Sequence, residues 1–409
     1  MEYNLHKEHS TVISRPDDKF GFFGFPNIEK LDDGRLMLSC SGLRLSHMCP
    51  FGKAVLMYGE PDASKWGLPQ VLRDSHLDDR DCSVLNMGGG KLMAAWYNWM
   101  DDMYFKRPFL KMLYDTDGPF GVNNEDFIFI ATHLRSVDRE TQQKDYGSWV
   151  CVSDDNGMTW REPTRCPVAS FHGPMMLNDG SLLYLGKDID GKETGGTNRA
   201  YKSTDDGRTW EHVSDIPVVD GCTYVNFVDP HAVQLPNGRI ICHIRYQNGA
   251  APEKYGAFTV FQTVSDDNGK TWSTPECLGV NGSPPHLLRH SSGALICAYG
   301  RRDVPYGERA MVSLDDGATW ITELVLTDDG KNSDLGFPSS VELPDGSIYT
   351  VYYQYNERDG VLDKKASVMA TKWSIEDILK KNGKSSGPAP GLRGKRIGSR
   401  FAFLRRRRR

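Results

Sequence analysis

The sequence lacks the features that would place the protein in a membrane or in an oxidising compartment. No stretch approaches the ~18–20 consecutive apolar residues of a membrane span, and the first twenty residues lack the apolar centre of a signal peptide. The nine cysteines are scattered and show no CxxC or zinc-ligand spacing, which argues against a disulfide framework. We therefore expect a cytoplasmic protein that makes no contact with membranes.

Acidic residues are missing from the C-terminal end. Residues 380–409 contain twelve Lys and Arg and no Asp or Glu, although the whole chain has a formal net charge of −5. This segment is rich in Gly, Ser and Pro and cannot bury a core, so we expect a disordered basic tail of unknown role. Residues 1–379 should form one domain, and nothing basic in them favours a nucleic-acid partner.

One pattern, Ser-x-Asp-x-Gly-x-Thr-Trp, occurs four times, at 153–160, 203–210, 265–272 and 313–320. Its Ser and Asp side chains can bond their own backbone, its Gly allows a positive φ, and its Trp supplies an apolar plate. Every element serves a turn or the packing of a turn. Four copies in separate repeats could not converge on one substrate, so we interpret the pattern as structural.

A second repeat joins a Gly-containing turn to an apolar strand. It occurs six times, at 31–38, 87–96, 177–185, 235–244, 290–299 and 343–353, and each copy is typical of a hairpin. Six such units predict an all-β fold, a six-bladed β-propeller with four-stranded antiparallel blades. A strand near 10–14 should complete the sixth blade. An insert in blade two, residues 100–146, should overhang one face.

Polar residues collect where the inner strands begin and the second strands end, and these positions should surround the axis at one face. A purely structural axis would be filled with Val and Ile, so we predict a ligand site. His172, His231 and His286 are assigned to equivalent positions of successive blades. The candidate catalytic residues are Asp81, Asp229, His172 and His231. The candidate substrate-binding residues are Arg44, Asp79, Arg80, Arg245, His286, Arg301 and Arg302.

The repeated pattern resembles the Asp-box of the sialidase-like propellers, and the resemblance covers roughly residues 20–375. It implies arginines that bind the carboxylate of an acidic sugar. Arg245, sixteen residues after Asp229, matches one of them. Another would be Arg309, with Arg301 and Arg302 as competitors.

The same resemblance implies three residues that this chain lacks. Gly24 stands where the first family Arg is expected, and Phe337 stands where the nucleophilic Tyr is expected. Residues 43–53, where an acid/base Asp is expected, contain no carboxylate and only His47. Because Phe337 has no hydroxyl group, we expect a directly activated water in place of the usual covalent mechanism.

The leading hypothesis is a sialidase-like glycoside hydrolase that acts on an acidic sugar without a cofactor. Asp79, Asp81 and Asp229 are the available carboxyl groups, and arginines would clamp the carboxylate of the substrate. The oligomeric state stays open.

Two other functions remain open from the sequence. A uronate lyase would use His172 or His231 as base and Tyr246 or Tyr353 as acid, or a divalent metal held by the three histidines. A non-catalytic carbohydrate-binding propeller would stack sugars on exposed aromatic side chains, for which the candidates are Trp96, Tyr97 and Trp99.

Overall fold

The computed structural model of the protein describes residues 2–99, 104, 106–115, 121–188, 196–248 and 254–385. The described strands form six antiparallel sheets, and in five of them the strands are consecutive in the chain. The predicted six-bladed β-propeller is therefore confirmed. The sixth sheet is closed by the N-terminal strand β1 (Glu8–Ile13), which pairs with the last strand of the chain, as expected from the sequence.

The first three blades follow one another along the chain. Blade one contains β2 (Phe22–Lys30), β3 (Leu36–Arg44), β4 (Lys53–Gly59) and β5 (Gln70–Arg73). Blade two contains β6 (Asp78–Gly88), β7 (Lys91–Trp99), β8 (Ser148–Ser153) and β9 (Thr164–Cys166). The inner strand of blade three is split into β10 (Val168–Ala169) and β11 (Met175–Met176), and both pair with β12 (Leu182–Asp188). This blade ends with β13 (Asn198–Ser203) and β14 (Glu211–Asp215).

The other three blades have the same order. Blade four contains β15 (Phe227–Gln234), β16 (Ile240–Gln247), β17 (Phe258–Ser265) and β18 (Glu276–Cys277). Blade five contains β19 (Pro285–Arg289), β20 (Leu295–Arg301), β21 (Gly307–Ser313) and β22 (Ile321–Val325). Blade six contains β23 (Gly336–Glu342), β24 (Ile348–Arg358), β25 (Val361–Trp373) and β1.

Most of the inner strands share a backbone turn near their N-terminal ends. Phe25, Asp81, Asp229 and Phe337 have φ angles of 50–57°, in the left-handed region that few residues other than Gly adopt. At each of them the pairing with the second strand of the blade shifts register. Gly173, with φ of 69°, lies at the corresponding turn in blade three. The turn thus occurs in five of the six blades, in four of them at a residue that carries a side chain.

The four repeated turns follow the third strands of blades two to five, where the sequence places them. In the second copy, the Gly207 N–H donates to Ser203 Oγ at 2.9 Å. The Thr209 N–H donates to Asp205 Oδ1 at 2.9 Å, and the Trp210 indole N–H donates to the Gly207 carbonyl at 3.1 Å. The Ser and Asp bonds recur in the other three copies. Each pattern therefore closes its own turn.

The described residues between β7 and β8 include three named helices, all within the predicted insert. They are α1 (Arg107–Tyr114), α2 (Asn124–Ser136) and α3 (Arg139–Asp145). Helix α2 begins where Asn123 accepts the Asp126 N–H at 2.8 Å. Ile130 and Leu134 of α2 pack with Leu45 and Met48 from the loop after β3. The insert is thereby held against blade one, and its relation to one face stays a prediction.

Several further expectations concern the chain ends and the cysteines. All nine cysteines lie in described segments, each is free and seven are buried, as small apolar side chains would be. Among the described residues, no helix is long and apolar enough to cross a membrane. A last helix, α4 (Glu376–Lys381), spans the boundary predicted after residue 379. Residues 386–409, most of the predicted basic tail, lie outside the described part of the chain.

The structural reading of the repeated turns can be tested at Trp210, whose ring packs against Tyr184 between two blades. Trp210→Ala should lower the free energy of unfolding by about 3 kcal/mol, because an aromatic packing site is emptied. Denaturant unfolding measures this loss, and Arg208→Ala, in an exposed position of the same turn, should cost little. A folded Trp210→Ala protein that no longer binds substrate would contradict a purely structural role.

Candidate functional site

One end of the propeller axis carries a polar cluster from blades two, four and five above the ring of Phe337. We call this cluster the funnel, and its members are Asp81, Tyr97, Asp229, Arg245 and Arg302. Arg245 donates to Asp229 Oδ2 at 2.9 Å, and the two side chains are 12% and 20% exposed. The strand pairing of β15 with β16 sets Val228 opposite Arg245, which explains why residues sixteen apart in sequence meet.

Two guanidinium groups share one aromatic ring. The guanidinium carbons of Arg245 and Arg302 each lie 5.3 Å from the centroid of Phe337, within the range of a cation–π contact. Burial lowers the pKa of Arg302, and the nearby positive charge of Arg245 adds to this effect. Two adjacent cations with partial access to solvent form a place where an anion would be stabilised.

The second carboxyl group of the funnel is almost buried. Asp81 is 5% exposed, and it accepts a hydrogen bond from the Tyr97 hydroxyl. Burial raises the pKa of Asp81, Arg80 and the Tyr97 bond oppose the rise, and the charge of Asp229 adds to it. Asp229, by contrast, is held beside a permanent cation. The two funnel carboxyl groups therefore differ in burial and in their direct partners, a tyrosine hydroxyl for Asp81 and a guanidinium group for Asp229.

An aromatic layer closes the axis beneath the funnel. It consists of Phe25, Phe171 and Phe337, whose rings meet edge to face at centroid distances of 5.1 and 4.8 Å. Phe337 faces the funnel arginines, whereas Phe171 lies 4.4 Å from the ring of His172. The layer therefore lies between the charged funnel and the histidines.

The three predicted histidines form a cluster of their own on the far side of this layer. His172, His231 and His286 lie with ring centroids 4.4–5.0 Å apart and line a cavity of about 310 Å³ together with Asn27, Glu29 and Arg289. None of the described residues lining that cavity belongs to the funnel. The expectation that His172 and His231 would converge with Asp81 and Asp229 around one pocket was wrong, because the aromatic layer intervenes.

Each histidine of the cluster bonds the backbone of another blade. One ring nitrogen of His172 lies 2.9 Å from the Pro285 carbonyl oxygen. His231 Nδ1 accepts the Leu287 N–H at 2.8 Å, and His286 Nδ1 accepts the Ser340 N–H at 3.2 Å. These bonds satisfy polar backbone groups at the axis.

The expected equivalence of the three histidines holds for only two of them. His231 and His286 each follow a proline, whereas His172 precedes Gly173 and Pro174. Its ring still reaches the cluster because the chain turns at Gly173, where a Cβ atom would lie 2.2 Å from Ser83 Oγ.

The same bonds bear on the alternative that the three histidines hold a divalent metal ion. The nearest ligand atoms of the three histidines lie within 4.8 Å of one another. Because His231 and His286 use the Nδ1 lone pair to accept backbone N–H groups, their ring protons reside on Nε2, the other possible ligand atom. Both nitrogens of His172 face oxygen acceptors. The cluster therefore fits a metal ion poorly without breaking these bonds.

Three predicted binding residues lie below the surface of the propeller. Arg44 is fully buried and bonds both oxygens of Asp78 at 2.5 and 2.8 Å. Arg80 is 3% exposed, bonds Asp78 at 3.1 Å and lies over Phe25. Asp79 is bonded by Ser75 and Asn98, and burial raises its pKa to about 7. In this structure none of the three is positioned to touch a ligand in the funnel directly.

The blade-five arginines differ in their positions, although their roles stay a prediction. Arg302 reaches Phe337, whereas Arg301 pairs with Asp303 at 3.0 Å and approaches Glu323. Arg309 is buried and donates to the Glu308 carbonyl at 3.0 Å. Adjacent residues at a strand end face opposite ways, so only Arg302 joins the funnel.

Sequence reasoning missed two acidic residues near the funnel. Asp334 accepts bonds from His47, Tyr353 and Tyr355. Burial alone would raise the pKa of Asp334, but His47 and these bonds lower it to about 2. Glu308 is buried near Arg302, and burial raises its pKa well above the usual value. The signals were the Asp before the sixth inner strand and the Glu at the head of β21.

A third residue was missed at the rim. Lys187 ends the second strand of blade three, and its ammonium donates to the carbonyls of Gly196 and Tyr224. Burial lowers the pKa of Lys187 to about 8, while Asp229 opposes the shift.

The residues proposed for the two other functions are dispersed. Tyr246 lies in an apolar core cluster of blades three and four, and Tyr353 is buried against Asp334. Trp96 is packed in the core between blades one and two. Tyr97 belongs to the funnel, and the side chain of Trp99 lies outside the described part. Among the described side chains, neither the lyase pair nor the stacking residues Trp96 and Tyr97 share a surface.

Comparison with known families agrees with this architecture. The model of the BNR repeat-like domain family matches residues 171–376. The chain belongs to this family. Its fold and repeated turns place it among the sialidase-like BNR propellers. The sequence has no significant match among curated proteins.

Solved structures show how far this fold is shared. A protein of unknown function from Dyadobacter fermentans is 20% identical, with a TM-score of 0.67, and 90% of this chain aligns with 99% of that one. The intramolecular trans-sialidase of Ruminococcus gnavus is 14% identical, with a TM-score of 0.60 and coverage of 90% and 98%. The NanB sialidase of Streptococcus pneumoniae is 14% identical, with a TM-score of 0.59 and coverage of 90% and 71%. At these identities the likeness concerns the fold alone.

The histidine cluster makes stability depend on pH. Burial lowers the pKa of His286 to about 3, so the folded protein holds it neutral while the unfolded chain protonates it near pH 6.5. Stability from this residue is present above that pH and is lost as the pH falls. Between pH 7 and 5 the wild type should lose about 2 kcal/mol that a His286→Gln variant does not lose. Urea unfolding at both pH values measures this, and a difference between the two proteins that stays constant with pH would contradict it.

Proposed function

We propose that this BNR repeat-like protein is a glycoside hydrolase that cleaves an acidic sugar at the funnel. The observation that carries the proposal is the pair of guanidinium groups over Phe337. They adjoin two carboxyl groups, of which Asp81 is buried and Asp229 pairs with Arg245. Arginine side chains bind a carboxylate through two parallel bonds, which lysine cannot do. The sialidase structures with the same fold support a glycan as the substrate class.

The two carboxyl groups are suited to separate roles, one as the acid and one as the base. Burial raises the pKa of Asp81, so it is the candidate acid, whereas Asp229, which is more exposed and pairs with Arg245 at 2.9 Å, is the candidate base. An acid and a base of this kind can hydrolyse a glycoside in one step through an activated water. Phe337 offers no hydroxyl for the covalent route.

Removal of the base tests the proposal directly. Asp229→Asn should lower kcat by about 100- to 10,000-fold, the usual contribution of a general base, on aryl glycosides of N-acetylneuraminic acid and of the hexuronic acids. The fold should survive because Asn tolerates the left-handed conformation of this position. Asp359→Asn is a matched control, since Asp359 also has a positive φ of 52° but lies in the hairpin between β24 and β25. Wild-type activity in Asp229→Asn would refute the role.

The anion site has a control in the adjacent residue. Arg302→Lys should raise KM about tenfold or more, because a bond to a charged group is lost, while Arg301→Lys should leave KM unchanged. Steady-state kinetics on the same substrates separates the two effects. Equal responses of the two variants would show that the carboxylate of the substrate is bound elsewhere.

A further inference from the structure

The acid of the funnel is poorly placed to meet a substrate by itself. Asp81 is 5% exposed, and its Oδ1 is buried without a hydrogen-bond partner. Its other oxygen, Oδ2, accepts the hydrogen bond of Tyr97. A proton that leaves Asp81 through this oxygen must therefore pass through the tyrosine hydroxyl.

Tyr97 is positioned between this buried acid and the open part of the funnel. It lies on β7, opposite Arg80 in the register with β6, so its ring is fixed by the sheet and not by a loop. Its side chain is only half-buried. Tyr97 and Asp81 both feel the charge of Asp229, which is 20% exposed. The hydroxyl thus connects Asp81 to the open part of the funnel.

We propose that Tyr97 is a catalytic residue that passes protons between the carboxyl group of Asp81 and the substrate. This inference rests on the proposed function. It assigns the leaving-group side of the reaction to a Tyr–Asp pair in blade two, away from Phe337.

In the protonated acid, the proton of Asp81 lies on Oδ2 and the bond to Tyr97 is reversed, so that Asp81 donates to Tyr97 Oη and the Tyr97 hydroxyl is free to donate to the glycosidic oxygen. The carboxyl proton of Asp81 then moves to Tyr97 Oη while the hydroxyl proton of Tyr97 moves to the glycosidic oxygen. The bond between that oxygen and the anomeric carbon breaks, and its electron pair stays on the oxygen. A water attacks the anomeric carbon and gives one proton to Asp229. Exchange with solvent then returns a proton to Asp81 and removes one from Asp229.

The surroundings favour a relay over a free phenolate. Burial raises the pKa of Tyr97 well above its usual value, and the neighbouring charge of Asp81 adds to this effect. Tyr97 should therefore release a proton only as it receives one. The charged groups that act on Asp81 are Arg80, Asp229 and Arg44. Asp81 Oδ1 has no hydrogen-bond partner among the described residues, so the relay depends on the Tyr97 bond to Oδ2.

Two leaving groups separate a relay from other roles of Tyr97. A 4-nitrophenolate departs without a proton, whereas a methoxide needs one. Tyr97→Phe should therefore lower kcat about 100- to 10,000-fold on methyl glycosides of N-acetylneuraminic, glucuronic or galacturonic acid. On the matching 4-nitrophenyl glycosides its kcat should stay within about tenfold of the wild type. Asp81→Asn should show the same pattern. Tyr352→Phe, which removes a buried hydroxyl bonded to Thr371 in blade six, should change neither rate.

The outcomes distinguish the relay from the proposed function. An equal loss on both leaving groups would overturn the relay, because a nucleophile or a structural residue would affect both substrates. Wild-type rates on both would overturn it as well. A wild-type protein that cleaves none of these glycosides would instead refute the proposed function.

A second measurement tests the pair without turnover. In protein labelled with tyrosine carrying 13C at Cζ, the Tyr97 signal is assigned by its absence in Tyr97→Phe. It should titrate with a midpoint above the ordinary Asp value of about 3.9, because burial raises the pKa of Asp81, and the titration should vanish in Asp81→Asn. A signal that does not move, or that moves equally in Asp81→Asn, would overturn the relay.

Discussion

In five of the six inner strands, a residue with positive φ makes a turn near the N-terminal end, and the candidate site depends on this turn. Asp81 and Asp229 occupy it in blades two and four, and Phe25 and Phe337 occupy it in blades one and six. A residue other than Gly is held there only when the surrounding structure compensates for the strain. Because the turn interrupts the alternation of the strand, the same backbone position supplies two carboxyl groups and two rings of the aromatic layer.

The aromatic layer in turn determines what each end of the axis can do. Above it, guanidinium groups lie on ring faces and carboxyl groups lie in a partly dry environment, where electrostatic interactions are stronger than in water. Below it, neutral histidines bond the backbones of neighbouring blades. The polar ring around the axis is thus two clusters with different roles, one suited to an anionic ligand and the other to holding the blades together.

Sequence reasoning recovered what local chemistry determines. The turn pattern, the hairpins, the closing strand and the meeting of Asp229 with Arg245 all follow from short-range rules of strand pairing and turn geometry. It could not tell Arg302 from Arg301, because their directions depend on how β20 ends. Nor could it tell that Arg44 and Arg80 would both form ion pairs with Asp78, since the Arg44 pair depends on a contact between blades one and two. Tyr97 was predicted only as a stacking aromatic, because its hydrogen bond to Asp81 joins two strands and is not visible in the sequence of either.

The central claim is that an acidic sugar is hydrolysed in the funnel by one direct attack of water. The configuration of the first-formed sugar tests this most directly, and 1H NMR during cleavage of an acidic aryl glycoside reports it before the product equilibrates. The account predicts inversion, because Asp229 activates the water and Phe337 cannot form a covalent intermediate. A product that retains the configuration of the substrate would contradict it and would require a nucleophile from the protein.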